Sequence, residues 1–352
     1  MKLLSASLLS LFLVWGSSAC KKGTKVTDTG EGKTPTSPVT TPVSSDVSFW
    51  LTKGDKSALL QKQNIALNFT ATNNSYSTIE IDEAQTFQSI DGFGYTLTGG
   101  SATLMNSLGN AEKDALIKEL FATEDDAIGV SYLRLSIGAS DLSANVFTYN
   151  ERPVGQTDIN QDHFSIAAEM VDLIPILKKI LAINPNIKIL GSPWTAPTWM
   201  KTNNAFKGGS LKPEYYASYA KYFVKYIQAM KAQGIPIDAI TIQNEPLHPG
   251  NTPSMYMEAR DQATFIKSAL GPAFESAGLT TKIILYDHNA DKPEYPMSIL
   301  ADPESYKYVD GSAFHLYGGN ISALSTVRMP IRPRPSILPS SGLAVRVILQ
   351  KI

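Results

Sequence analysis

Thr241-Ile242-Gln243-Asn244-Glu245-Pro246 closes a run, Ile237–Ile242, whose alternating apolar residues predict a buried strand. Pro246 cannot extend a hydrogen-bonded ladder, so the strand must stop there and Glu245 stands at its C-terminal end. In a parallel β/α barrel that end forms the mouth of the cleft. A glutamate so placed is a candidate acid or base, and Asn244 beside it is a candidate hydrogen-bond donor to a bound ligand.

Working outward, the same pattern recurs. Strands are predicted at Ile90–Tyr95, Ser131–Ser136, Lys188–Ser192, Ala239–Gln243, Lys282–Tyr286 and Gly311–His315. Helices are predicted near Ala111–Phe121, Ser165–Ala182, Pro213–Gln233 and Tyr256–Ala269. This alternation predicts an α/β fold, a TIM-type (β/α)8 barrel of which about six strands are represented. Each strand end carries polar or aromatic residues: Gly92-Phe93-Gly94, Arg134 with Asp141, Trp194, Asn244-Glu245, Asp287-His288-Asn289 and His315-Leu316-Tyr317. One such residue has a bland structural reading; a shared position at one end of successive strands points to an assembled site. Trp and Tyr also suit sugars, because a ring face packs against C–H groups while a polar edge stays available. Ahead of the barrel, residues 47–89 predict short strands at Val47–Leu51, Ile65–Thr70 and Thr78–Glu80, part of a small β-domain.

Composition narrows the function. Across 352 residues, 43% are hydrophobic and the net charge is -1, so a large core is affordable and no nucleic-acid partner is indicated. The four histidines are scattered and there is one cysteine, which argues against a metal site. Met1-Lys2, the apolar Leu3–Trp15 and the small residues before Cys20 predict an export signal over residues 1–20. Cys20 has no disulfide partner within the chain and resembles the acylated cysteine of a bacterial lipoprotein, which would place the protein on a cell-envelope membrane; ordinary secretion is the alternative. Residues 21–46, rich in Thr, Pro, Ser, Gly and Lys, predict a disordered tether.

Several segments together resemble glycoside hydrolase family 30, which includes glucosylceramidases and endo-1,6-β-glucanases. They are Ile90-Asp91-Gly92-Phe93-Gly94, the run from Arg134 to Asp141, and Ser192-Pro193-Trp194-Thr195-Ala196-Pro197-Thr198-Trp199-Met200-Lys201-Thr202-Asn203. Asn244-Glu245-Pro246 and Phe314-His315-Leu316-Tyr317 complete the set. The resemblance implies a barrel at residues 90–327 fused to a β-sandwich whose first strands are residues 47–89. It also implies a retaining β-glycosidase without a cofactor. Glu245 would be the general acid/base and Asn244 the partner of the sugar 2-hydroxyl. Asp141, Trp194 and Tyr317 would bind substrate, with Arg134 and His315 around the catalytic carboxylates. Glucosylceramidase is the first expected activity and β-1,6-glucan hydrolysis the second. A glycan-binding lipoprotein without catalysis is the reading from another class; an open six-stranded barrel, with its exposed edges, speaks against it.

Retaining chemistry needs a second carboxylate roughly 5 Å from the first, to attack the sugar. The resemblance places it on the seventh strand. There the sequence turns to Arg328-Met329-Pro330-Ile331-Arg332-Pro333-Arg334-Pro335-Ser336, and no Asp or Glu occurs from Arg328 to Ile352. Moved by one base, the codons permitted by Ser336–Gly342 also spell Leu-Tyr-Phe-Thr-Glu-Gln-Trp, with the glutamate opposite Ser340. Residues 328–352 are therefore expected to be an out-of-frame tail following a frameshift near Val327, and the chain as written is expected to be inactive.

Overall fold

The computed structural model describes residues 44–328 apart from 72, 87, 88 and 125. Cys20, the export signal, the tether up to residue 43 and the tail from residue 329 lie outside the described residues. The chain divides into two compact units after Asn74.

In the first unit, β1 (Trp50–Leu51) pairs antiparallel with β2 (Gln61–Lys62). The strand expected at Val47–Leu51 is thus shorter, and Ile65–Thr70 forms no strand. That segment instead meets residues 45–47 through irregular bonds, such as Val47 N–H to the Leu67 carbonyl at 3.3 Å.

The second unit is a parallel sheet of six strands in sequence order: β3 (Gly94–Thr96), β4 (Tyr132–Ile137), β5 (Lys188–Pro193), β6 (Ala239–Thr241), β7 (Lys282–Ala290) and β8 (Gly311–Gly319). Thr78–Glu80, expected as a strand, has no ladder partner. Ile90–Phe93 also stays outside the ladder. β3 begins only at Gly94, where an added Cβ would meet the Tyr132 carbonyl oxygen at 1.5 Å, so glycine is what lets β3 approach β4.

Helices follow the strands. α1 (Gly99–Ser107) is capped by Thr98, whose hydroxyl accepts from Ser101 N–H; α2 (Asn110–Phe121) comes next. α3 (Leu173–Ile183) buries Leu173, Ile174, Ile176, Leu177 and Ile180, a stripe set by the 3.6-residue period. α4 (Tyr216–Ala232) buries Tyr219, Tyr222, Phe223, Tyr226 and Met230 in the same way. α5 (Ala259–Phe265) passes through a π-helical turn, Ile266–Leu270, into α6 (Gly271–Ser276). Three short helices complete the unit: α7 (Glu294–Leu300), α8 (Pro303–Tyr306) and α9 (Ala323–Arg328).

The main core lies between the helices and one face of the sheet. On the other face Tyr132, Leu190, Ala239, Ile284 and Ala313, one from each of β4 to β8, form a separate apolar layer. Inward-facing apolar side chains of this kind are what fill the interior of a TIM barrel.

Candidate active site

Side chains two residues apart on a strand share a face. Two residues beyond the interior apolar layer therefore come Arg134 after Tyr132, Ser192 after Leu190, Thr241 after Ala239, and His315 after Ala313. β7 breaks the rule. A bulge shifts its register between Tyr286 and His288, and both Tyr286 (φ 70°) and Asp287 (φ 65°) adopt left-handed backbone. The bulge turns Asp287, three residues past Ile284, into the polar layer, while Tyr286 packs against Tyr295 and Phe314.

These five side chains form one network. Arg134 Nη2 donates to Asp287 Oδ2 (2.7 Å), Asn244 Oδ1 (2.8 Å) and Ser192 Oγ (3.0 Å). Ser192 Oγ lies 2.7 Å and Thr241 Oγ1 2.8 Å from the same Asp287 oxygen. His315 spans two carboxylates, with Nε2 at 3.0 Å from Asp287 Oδ1 and Nδ1 at 2.9 Å from Glu245 Oε1. The Arg134 guanidinium also stacks over Trp194, 4.8 Å from the ring centre.

The loop after β6 sets Glu245. Its φ is 47°, its N–H donates to the Asp287 carbonyl (2.9 Å), and Asn244 N–H donates to the Pro193 carbonyl (2.8 Å). The flanking strands thereby fix both ends of the Asn-Glu pair. Arginine has no acceptor, so the Asn244 atom facing Arg134 is the amide oxygen and its NH2 group points elsewhere.

Charge follows from this packing. Burial alone would push the Asp287 carboxyl up, but the Arg134 charge and the His315 bond outweigh it and hold the group far below the usual carboxylate range. Burial likewise opposes ionisation of Glu245, yet the His315 bond and charge leave its pKa lowered. For His315, burial works against the imidazolium and the two carboxylates raise its pKa above the ordinary value.

Of the residues expected from sequence, Arg134, Trp194, Asn244, Glu245 and His315 meet in this cluster. Tyr317 lies just outside, its exposed ring perpendicular to that of His315 at 6.0 Å. Asp141 is exposed on the segment after β4 and reaches Tyr317 through its charge rather than by a bond to the cluster. Ser192 and Thr241 join the site without having been singled out by the sequence, and Asp287, expected only as one of several polar groups at a strand end, is at the centre of the network. For Ser192 and Thr241 the parity of the strands was a usable signal; for Asp287 that parity points the wrong way. Among the described residues, no group of three or more His, Cys, Asp or Glu is placed to hold a metal ion.

Residues 90–329 match the glycosyl hydrolase family 30 TIM-barrel domain. The chain is 39% identical to an endo-1,6-beta-D-glucanase of Neurospora crassa over 247 residues, 68% of this chain and 50% of that protein. It is 32% identical to the lysosomal acid glucosylceramidase of Mus musculus over 249 residues, 66% of this chain and 46% of that protein. Among solved structures, the endo-beta1,6-glucanase BT3312 superposes with a TM-score of 0.73 at 38% identity, covering 81% of this chain and 63% of that one. The chain spans about half the length of the curated relatives it matches.

Proposed function

The chain belongs to glycosyl hydrolase family 30, and from that membership we propose that its gene encodes a retaining β-glycosidase that cleaves β-1,6-glucan internally. Glu245 is its general acid/base. The observation that carries this reading is the fixed Asn244-Glu245 pair: Arg134 occupies the Asn244 carbonyl, which leaves the amide N–H free for a sugar 2-hydroxyl beside the acid. Such a bond strengthens as the anomeric carbon takes on oxocarbenium character. Glu245 protonates the departing oxygen and later takes a proton from the attacking water. Trp194, Asp141 and Tyr317 line the sugar side.

The sequence motifs alone put glucosylceramide first. The relatives favour glucan instead, with 37–39% identity to three endo-1,6-glucanases against 30–32% to the glucosylceramidases. Glucosylceramide hydrolysis stays as the second reading on the latter similarity.

The 352-residue chain itself should not turn over substrate. Asp287, the other carboxylate in the cluster, is fully buried, its Oδ2 held by Arg134 and the Ser192 and Thr241 hydroxyls and its Oδ1 by His315, so it is not presented to a sugar as a nucleophile. Residues 328–352 supply no carboxylate side chain. Resequencing near codon 327 should reveal a one-base correction that opens a frame through Thr-Glu-Gln-Trp. In that frame-corrected protein, Glu245→Gln should slow β-1,6-glucan hydrolysis by about 10²–10⁴-fold. Unchanged turnover in the variant would remove Glu245 from the role, and robust turnover by the 352-residue chain would overturn its inactivity. We further propose export with a lipid anchor on Cys20; in cells fed labelled palmitate, Cys20→Ser should abolish incorporation.

A further inference from the structure

His315 has an anionic acceptor on each side, which constrains where protons sit. A neutral imidazole carries one N–H and a charged one carries two. Asp287 cannot provide the proton between itself and Nε2. Its Oδ2 already accepts from the Arg134 guanidinium and lies within hydrogen-bond distance of two hydroxyls, an arrangement that favours the ionised carboxylate. Nε2 therefore donates to Asp287 Oδ1 across 3.0 Å. This leaves the 2.9 Å contact between Nδ1 and Glu245 Oε1. Two atoms so close need one proton between them: an imidazolium facing a carboxylate, or a neutral imidazole facing a carboxylic acid.

We propose that His315 and Glu245 are one acid/base unit, sharing a single proton across the Nδ1–Oε1 contact, and that Asp287 is the positioning residue that fixes the tautomer making this possible. The inference rests on Glu245 being the acid/base. With the shared proton the unit has no net charge; after giving that proton to a leaving oxygen it carries one negative charge, and removing a proton from water restores it. Asp287 never touches substrate. It acts by occupying Nε2–H, so that only Nδ1 exchanges a proton with Glu245.

The groups around the unit fit this assignment. On β4, Arg134 opposes a charge on His315 but is matched by Asp287, 2.7 Å away. On β7, His288 lies 6.4 Å from the His315 ring; burial lowers its pKa, with Glu245, Asp291 and Asp287 acting the other way. On β8, burial and the charges of Glu245 and Asp141 keep the Tyr317 phenol protonated. His248, three residues after Glu245, adds a further pull toward the carboxylate form.

The test is nitrogen-15 NMR of the 352-residue chain labelled at its four histidines, with His315→Gln to assign the signals. At pH 7, His315 Nε2 should show the shift of a protonated nitrogen and Nδ1 that of a protonated or proton-sharing one. Glu245→Gln should lower the His315 midpoint by ~1 pH unit or more, because it removes the charge paired with Nδ1. Asp287→Asn should free Nε2 and scramble the tautomer. Should that buried variant fail to fold, Glu245→Gln decides alone, since the Glu245 side chain is only partly buried. An unprotonated Nε2, or a midpoint unmoved in Glu245→Gln, would overturn the shared-proton unit. If the midpoint is unmoved while Glu245→Gln abolishes turnover in the frame-corrected protein, the unit is wrong and the acid/base reading stands. If the midpoint moves while turnover is unaffected, the acid/base reading fails.

Discussion

Glu169 is buried and, among the described residues, has one close hydrogen-bond partner, the Tyr149 hydroxyl at 2.9 Å, and no cation. Burial pushes its carboxyl up to about 7, and the charge of Asp172 adds to this against the pull of the Tyr149 bond. The folded pKa exceeds the unfolded one, so the contribution of Glu169 to stability is full below about 4.5 and is lost as pH rises through about 7. Glu169→Gln should remove that slope and raise stability at pH 8 by about 1 kcal/mol, less than the full shift because the new amide N–H groups lack acceptors. Thermal melts at pH 5 and pH 8 check it: the variant should gain only at the higher pH. Asp287 has the opposite sign. Its lowered pKa contributes stability above the unfolded value of 3.8, and this is lost as pH falls further, so the two windows are separable. Residue identity alone could reveal neither, since both depend on what the fold places around a carboxyl. Glu245 and His315 were legible because each closes a predicted strand, and Arg134 because it is a charged residue inside an otherwise uncharged one. Asp287 was legible as a strand-end group but not as part of the network, because a bulge rather than the two-residue period aims it.

At the scale of elements, the alternation of apolar residues was enough to find β4 to β8 and the helices that carry a continuous stripe. It failed where no partner is available. Phe69, Ile79 and Ile81 have strand-like character, yet their side chains are exposed and no ladder forms around them. It also missed α1, whose Gly, Ser, Thr and Asn residues give no stripe and whose start depends on the Thr98 cap. A third feature it could not supply is the join between the loops after β5 and β6. Buried Lys201 donates to the carbonyls of Ala205 (2.7 Å), Phe206 (3.1 Å) and Ser254 (2.7 Å), although burial lowers its pKa to about 7. Ser254 Oγ then holds the Asn251 carbonyl, and the Asn251 amide lies 3.5 Å from Glu245 Oε2. Lys201→Met preserves the stem but leaves three carbonyls without this donor. It should cost about 2–4 kcal/mol in urea unfolding and speed proteolysis within residues 202–211. If both loops stay as protected as before, Lys201 is only filling space.

At the scale of the whole molecule, the six-stranded sheet has, among the described residues, two outer strands, β3 and β8, while β4 to β7 are paired on both sides. A closed barrel has no edges, and an open sheet leaves alternate amides of its outer strands without a ladder partner. The positions of β4 are all buried, whereas β3 is only partly covered and β8 turns outward at Leu316 and Tyr317. Hydrogen exchange in the 352-residue chain should therefore be slowest at Leu133, Leu135, Ile189 and Ile240. It should be fast at the amides of β8 directed away from β7. If the restored reading frame supplies the seventh and eighth strands, the same β8 amides acquire partners and should slow to the level of β4. β3 should change with β8, because the last strand of a barrel closes on the first. Exchange at β8 that is equally fast in both proteins would show that the added residues do not close the sheet. The restored frame would then have no claim to deliver a carboxylate opposite Glu245.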